Sequence, residues 1–363
     1  MSLNNYIGIL YSQEIYNSFP DPLSLLDDGF RDKVAGGIIK DLYVKISKLG
    51  GDVVLIEEND ITNAEMQEKI NKTKVIYTFP LLGYVEGNPQ ILEALSLLNE
   101  NGRLFNSLYS LENAADKIRT AHIFKEYGVA IPETLFTHSV EEAIEFVQNH
   151  HLVVIKPKIG SEGMGVAFLR WDKNTNKVIM DSGESKQKTV DFDSTKINQN
   201  PRISYHLNKS SDKEVTLNAP FFLQKYVNTQ NSNQFILKIY VLDGEATSGI
   251  KIINDTTKES VISYNNIGQN NTRQELYLAE ELPLEASDLA CQATTALELR
   301  SGLVDVIWSA KEKKWKVLEV NNDDFGKIRD RSERIHLRYK ENGPFDWNYK
   351  LANALLNVAK SNI

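Results

Sequence analysis

Residues 152–170 read Leu-Val-Val-Ile-Lys-Pro-Lys-Ile-Gly-Ser-Glu-Gly-Met-Gly-Val-Ala-Phe-Leu-Arg. Leu152–Ile155 and Val166–Leu169 have the length and the β-branched or aromatic content of strands. Between them lie Gly160, Gly163 and Gly165, with Lys156 and Lys158 just upstream. Glycine lets a backbone turn with positive φ and approach a ligand closely. Successive N–H groups in such a turn form a nest for anions, and a lysine at the strand end adds a point charge for phosphate. The stretch therefore suits a hairpin flap over a nucleotide triphosphate. It equally suits an ordinary glycine-rich hairpin with solvated lysines, and the rest of the chain has to decide.

The 363 residues allow two or three domains, and 41% hydrophobic with 25% charged residues is ordinary for a globular protein. The net charge of -8 argues against general nucleic-acid binding, which needs a basic face. The single cysteine, Cys291, excludes an intrachain disulfide and a multi-cysteine zinc site, and its apolar surroundings mark it as a small core residue. His122, His138, His150, His151, His206 and His336 show no metal spacing. No signal peptide or membrane span is evident, so a cytoplasmic location is expected.

Strand-like and helix-like segments alternate up to about residue 106, as in a small α/β domain with a parallel sheet. Strands are expected near 5–12, 52–56, 74–78 and 103–106, and helices over 31–49 and from Pro89. A helix over 110–128 is expected next, starting at Ser110 and capped by Gly128, then one over 139–149 opened by Ser139 and Glu142 as a capping box. Residues 172–218 are polar and read as solvated hairpins, a lid or an inert insertion. Beyond 219, Phe221–Val227, Phe235–Leu242 and Glu245–Ile253 read as strands, the last two joined at Asp243-Gly244. A helix over 285–299 is expected to turn Leu289, Thr295, Ala296 and Leu299 inward and to stop at Gly302. The tail, 331–363, reads as two helical segments broken at Gly343-Pro344.

Val304–Trp308 and Trp315–Val320 read as two strands joined by the charged turn 311–314. Glu319 and Asn321 are two apart and so point to one face, which Asp305 reaches if the strands are antiparallel neighbours. Two carboxylates and an amide are hard oxygen ligands suited to magnesium. Charges on an edge strand facing water are the alternative.

The order of these features carries a resemblance. A helix with Lys117 precedes Lys-Pro-x-x-Gly-Ser-x-Gly-x-Gly-Val. Gln224-Lys225-Tyr226-Val227, two strands bearing Lys238 and Lys251, Val-Asp-Val and Leu-Glu-Val-Asn follow. This resembles the ATP-grasp superfamily over roughly residues 1–325, within it the glutathione-synthetase-like branch that includes ligases adding glutamate to a ribosomal-protein tail.

The resemblance implies a small α/β pre-ATP-grasp domain (1–106) and then the two-lobed ATP-grasp fold, α+β in character (107–330). Its central lobe would be 130–222, its C-terminal lobe 223–330, and 331–363 a helical tail packed on that lobe. It implies ATP contacts at Lys117, Lys156, Ser161, Gly163, Met164 and Gly165, and an adenine-reading turn at Gln224, Lys225, Tyr226 and Val227. Lys238 and Lys251 would stabilise the transferring phosphoryl group and the acyl phosphate, and Asp305, Glu319 and Asn321 would hold magnesium or manganese.

The implied function is ATP-dependent ligation of a small-molecule or peptide carboxylate to an amine, through an acyl phosphate, in a family that commonly forms homo-oligomers. A kinase of the same fold, or a nucleotide-binding scaffold without turnover, is the alternative. Two departures stand out. Relatives favour arginine after an aspartate where this chain has Ile236-Leu237-Lys238, and they continue Glu-x-Asn into a Pro/Gly turn where it has Asn322-Asp323-Asp324.

Overall fold

Strand β1 (Tyr6–Tyr11) is the centre of a parallel sheet, flanked by β2 (Asp52–Glu57) and β3 (Thr73–Thr78) in the order β2-β1-β3. These are the first strands of a computed structural model that describes residues 6–12, 34–79, 81, 87–150, 152–158, 166–180, 188–189, 191–193, 202–208, 211–228, 234–254, 272–321 and 347–361. Ile7, Ile9 and Leu10 are fully buried, because helices cover both faces and the strand can be apolar throughout. Helices α1 (Val34–Lys48), α2 (Ala64–Lys72) and α3 (Pro89–Glu100) supply that cover. Gly50, at φ +86°, ends α1 where the sequence places its stop. The expected fourth strand at 103–106 shrinks to one parallel bridge, Leu104 to Ile76.

The helix expected over 110–128 is two helices, α4 (Leu108–Ala115) and α5 (Lys117–Glu126). Ser107, not Ser110, caps the first. Asp116 is extended, breaks the run, and accepts from the N–H groups of Ile118 and Arg119.

Strand β4 (Thr134–Thr137) and helix α6 (Val140–His150) follow. Ser139 caps α6 as expected, but Glu142 takes the hydroxyl of Thr137, so the box is half made. The central sheet is antiparallel, with β5 (Leu152–Lys156), β6 (Ala167–Asp172), β7 (Lys177–Met180), β8 (Lys188–Thr189) and β12 (Phe221–Lys225) in the order β4-β12-β5-β6-β7-β8. The described residues of the polar stretch 172–218 form hairpins, one of the readings expected for it. They add β7 and β8 to this sheet and form a second one from β9 (Asp191–Asp193), β10 (Arg202–Asn208) and β11 (Ser211–Asn218). Backbone ladders define these strands, and apolar patterning does not announce them.

The C-terminal sheet is antiparallel, β15-β14-β13-β16-β17, built from β13 (Gln234–Leu242), β14 (Glu245–Asn254), β15 (Thr272–Leu278), β16 (Ser301–Ser309) and β17 (Lys314–Asn321). Asp243 and Gly244, at φ 49° and 82°, make the tight turn expected between β13 and β14. Helix α7 (Leu284–Ala296) covers one face, packing Ala286, Leu289, Ala290 and Ala293 on Leu237, Ile239, Val304 and Val306. Its inward threonine is Thr294, fully buried, and Thr295 is exposed. The helix stops at Glu298, in the left-handed region at φ 58°, and Gly302 lies inside β16.

The other face carries Tyr240, Leu242, Ile250, Ile252 and Leu303. Helix α8 (Trp347–Ser361) packs there and, in the same cluster, against Ile39, Leu42 and Ile46 of α1. The tail helix therefore packs on the C-terminal sheet and also touches the small domain. Asn348 donates to Asp41 at 2.8 Å, and Lys350 donates to the carbonyl of Thr247 at 2.8 Å.

Candidate functional site

Register across β13, β16 and β17 assembles a charge cluster. Lys238 sits opposite Asp305, and Asp305 opposite Glu319. Opposed residues share a face, so all three stand on the side of the sheet away from α7. Asn321, opposite Leu303, is on that side too. Lys238, 4% exposed, donates to both carboxylate oxygens of Asp305, at 2.8 and 2.7 Å. A bulge between Asp305 and Val306 re-aims the strand beside them.

Two more lysines arrive from other elements. Lys117 opens α5, and its Nζ is 3.8 Å from Glu319 Oε1. Lys156 ends β5, where it opposes Phe222. Its ammonium donates to Gln224 Oε1 at 2.9 Å and approaches the Leu318 carbonyl at 3.5 Å. Burial pushes the Lys156 pKa below the ordinary lysine value; Glu319 and Asp305 pull it back up, while Lys117 adds to the depression. Three cations thus meet two carboxylates and an amide where the central sheet abuts β17. Beside them is a cleft of about 20 Å³, lined by Lys117, Thr120, Phe124, Phe222, Gln224 and Leu318.

The other site residues expected from sequence fall less simply. Ser161, Gly163, Met164 and Gly165 lie outside the described residues. Gln224 is buried at the end of β12, and its amide oxygen is committed to Lys156. The N–H groups of Lys225 and Tyr226 bond to the carbonyls of Glu133 and Leu152. Val227 is buried, and the Tyr226 ring meets Phe168 edge-on at 5.7 Å.

Lys251 is a correction, because the structure does not bring it to Lys238. An uninterrupted hairpin through Asp243-Gly244 would set Lys251 opposite Ile236, on the face of Lys238. Instead, Val241 pairs with Ala246 and Tyr240 with Ser248, leaving Thr247 as an extra residue. That shift sets Lys251 opposite Leu237, on the α7 face. There it pairs with Glu275 at 3.5 Å and lies 4.8 Å above the Phe235 ring.

The metal reading can be tested on donor chemistry. Among the described residues no three His, Cys, Asp or Glu side chains form a cluster able to hold a metal ion. Asp305 and Glu319, with side chains 14% and 25% exposed, plus the Asn321 amide make a hard-oxygen set on one face. That set fits a cation that keeps several waters, as magnesium does. Asp116, which pairs with Lys158 at 3.0 Å beside Lys117, was not picked out from sequence. An aspartate immediately before a basic helical start was the signal available.

Comparison with known proteins bears on the fold. The family model for YheC/D like ATP-grasp matches residues 107–242. The tetrahydromethanopterin:alpha-L-glutamate ligase of Methanococcus maripaludis is 22% identical over 299 residues, 74% of this chain and 88% of the relative. Among solved structures, D-alanine--D-alanine ligase from Bacillus anthracis aligns with a TM-score of 0.57 at 15% identity, covering 98% of this chain and 99% of that one. The ATP-grasp ligase PsnB complexed with a minimal precursor aligns with a TM-score of 0.56 at 13% identity, covering 98% and 99%. The chain has the ATP-grasp fold. The named relatives and neighbours are themselves ligases. No helix among the described residues is long and apolar enough to cross a membrane.

Proposed function

We propose that this chain is an ATP-dependent C–N ligase that activates a substrate carboxylate as an acyl phosphate and passes it to an amine, releasing ADP and phosphate. The observation that carries the reading is the convergence of Lys117, Lys156 and Lys238 on Asp305 and Glu319, from three separate elements. Phosphoryl transfer asks a protein mainly for positioned charge, and this site offers it.

In this reading Lys156 and Lys117 hold the triphosphate of ATP. Lys238 stands nearest the reacting carboxylate and spreads the charge that develops on transfer, while Asp305 fixes its ammonium from both oxygens. Gln224–Val227 would border the adenine, and Ser161 with Gly163–Gly165 would cover the phosphates. A magnesium ion, when held by Asp305, Glu319 and Asn321, supplies neutralisation of phosphate charge. Lys251 takes no part. The named relatives are a tetrahydromethanopterin:alpha-L-glutamate ligase, a D-alanine--D-alanine ligase and a ligase complexed with a minimal precursor, which supports a small-molecule or peptide carboxylate as the acid.

The test is ADP and phosphate release with magnesium, screened over amino acids and peptides. Amine-dependent release with a new amide in the product is the expected result. A phosphorylated product with no amide would select a kinase instead.

A further inference from the structure

Lys117 and Lys156 are carried by different elements, a helix and a strand of the central sheet, so something must fix their spacing. The contacts that do so run through Asp116. Its Oδ1 accepts from the N–H groups of Ile118 and Arg119 at 2.9 and 3.2 Å, which fixes the first turn of α5 and with it Lys117. Its Oδ2 receives the ammonium of Lys158 at 3.0 Å. Lys158 is two residues past Lys156, just beyond the end of β5. A third bond closes the arrangement: the N–H of Lys117 donates to the carbonyl of Lys158 at 3.1 Å. The two oxygens of one carboxylate thus do separate work, one for the helix and one for the strand exit. The N-terminal position also suits a negative charge, because the helix dipole favours it there.

We propose that Asp116 is a positioning residue for ATP binding, acting with Lys158 to hold Lys117 and Lys156 at the spacing the triphosphate needs. The inference rests on the reading of those two lysines as phosphate contacts. Asp116 itself touches no reacting atom. Its effect falls on the affinity for ATP and much less on turnover of the bound complex.

Asp116→Asn isolates the claim, since asparagine caps a helix as well as aspartate does and lacks only the charge for Lys158. Titrate ATP with magnesium into the wild type, Asp116→Asn, Lys158→Met and the double variant by calorimetry, and measure KM for ATP and kcat beside each titration. Each single change is expected to weaken ATP binding about fivefold, the scale of a well-placed, half-exposed ion pair. The double variant should bind no more weakly than either single, because both remove one interaction. KM for ATP rises in step while kcat stays within about twofold.

Asp116→Asn binding ATP as tightly as the wild type would overturn the assignment and leave the phosphate-contact reading standing. Losses that multiply in the double variant would do the same. A wild type that does not bind ATP would overturn the phosphate-contact reading, and this inference with it.

Discussion

The two faces of the C-terminal sheet each carry a lysine, and they teach different things. On one face Lys238 is almost wholly buried and held by both oxygens of Asp305, in the row that continues to Glu319. On the other, Lys251 is part-exposed, paired with Glu275 and resting on an aromatic ring. A buried ammonium costs so much to desolvate that it needs a fixed, charged partner. A part-exposed one stays hydrated and can use its aliphatic stem as packing. What separates them is a single extra residue, Thr247, whose carbonyl is taken by Lys350 of α8. One residue of register decides which lysine faces the site.

Inserting one alanine between Ser248 and Gly249 attacks this contrast most heavily. If pairing with β13 stays in step from Ser248, Lys251 moves opposite Ile236, onto the face of Lys238, and the buried Ile250 and Ile252 leave that face. The expected outcome is loss of a cooperative urea transition. A variant that unfolds like the wild type would show that register does not set the faces.

Lys156→Met comes next, with ATP turnover falling about 100- to 1,000-fold, the range for removing one preorganised charge donor. The same variant reports on burial. Because the folded-state pKa of Lys156 is depressed, the folded protein holds fewer protons than the unfolded chain between that value and the ordinary lysine value near 10.5. Wild-type stability relative to Lys156→Met should therefore rise with pH through that window and level off above it. Urea midpoints at a series of pH values check the slope. A relative stability that falls with rising pH would contradict the depressed pKa.

Lys238→Met leaves Asp305 largely buried without its ammonium, so a stability loss of about 3 kcal/mol is expected along with the loss of turnover. Lys238→Arg keeps a cation opposite Asp305 and should retain activity, and urea denaturation beside turnover separates the two effects. The smallest effect belongs to Lys251→Met, with stability changing by less than about 1 kcal/mol and ATP affinity unchanged.

Much of this was legible in the chain. Alternation within Val-Asp-Val and Leu-Glu-Val-Asn placed Asp305, Glu319 and Asn321 on one face before any coordinates, because strand periodicity is rigid. The apolar runs around Lys156 read correctly as strands for the same reason. Lys251 was misplaced because a bulge leaves no mark on a sequence that alternates well on either register. Hairpins were expected in 172–218, but the bounds of β9 to β11 could not be placed because their polar residues give no periodic signal. The break at Asp116 was missed because an aspartate fits a helical pattern almost as well as it caps one, and only the fold shows which it does.

The most direct measurement is a calorimetric titration of ATP with magnesium into Lys238→Arg, Lys238→Met and Lys251→Met side by side with the wild type, followed by ADP release on the same samples. Binding and turnover kept in Lys251→Met and Lys238→Arg, with turnover lost in a folded Lys238→Met, is the expected result. Turnover lost in Lys251→Met and kept in Lys238→Met would contradict the assignment of the site to the face that carries Asp305.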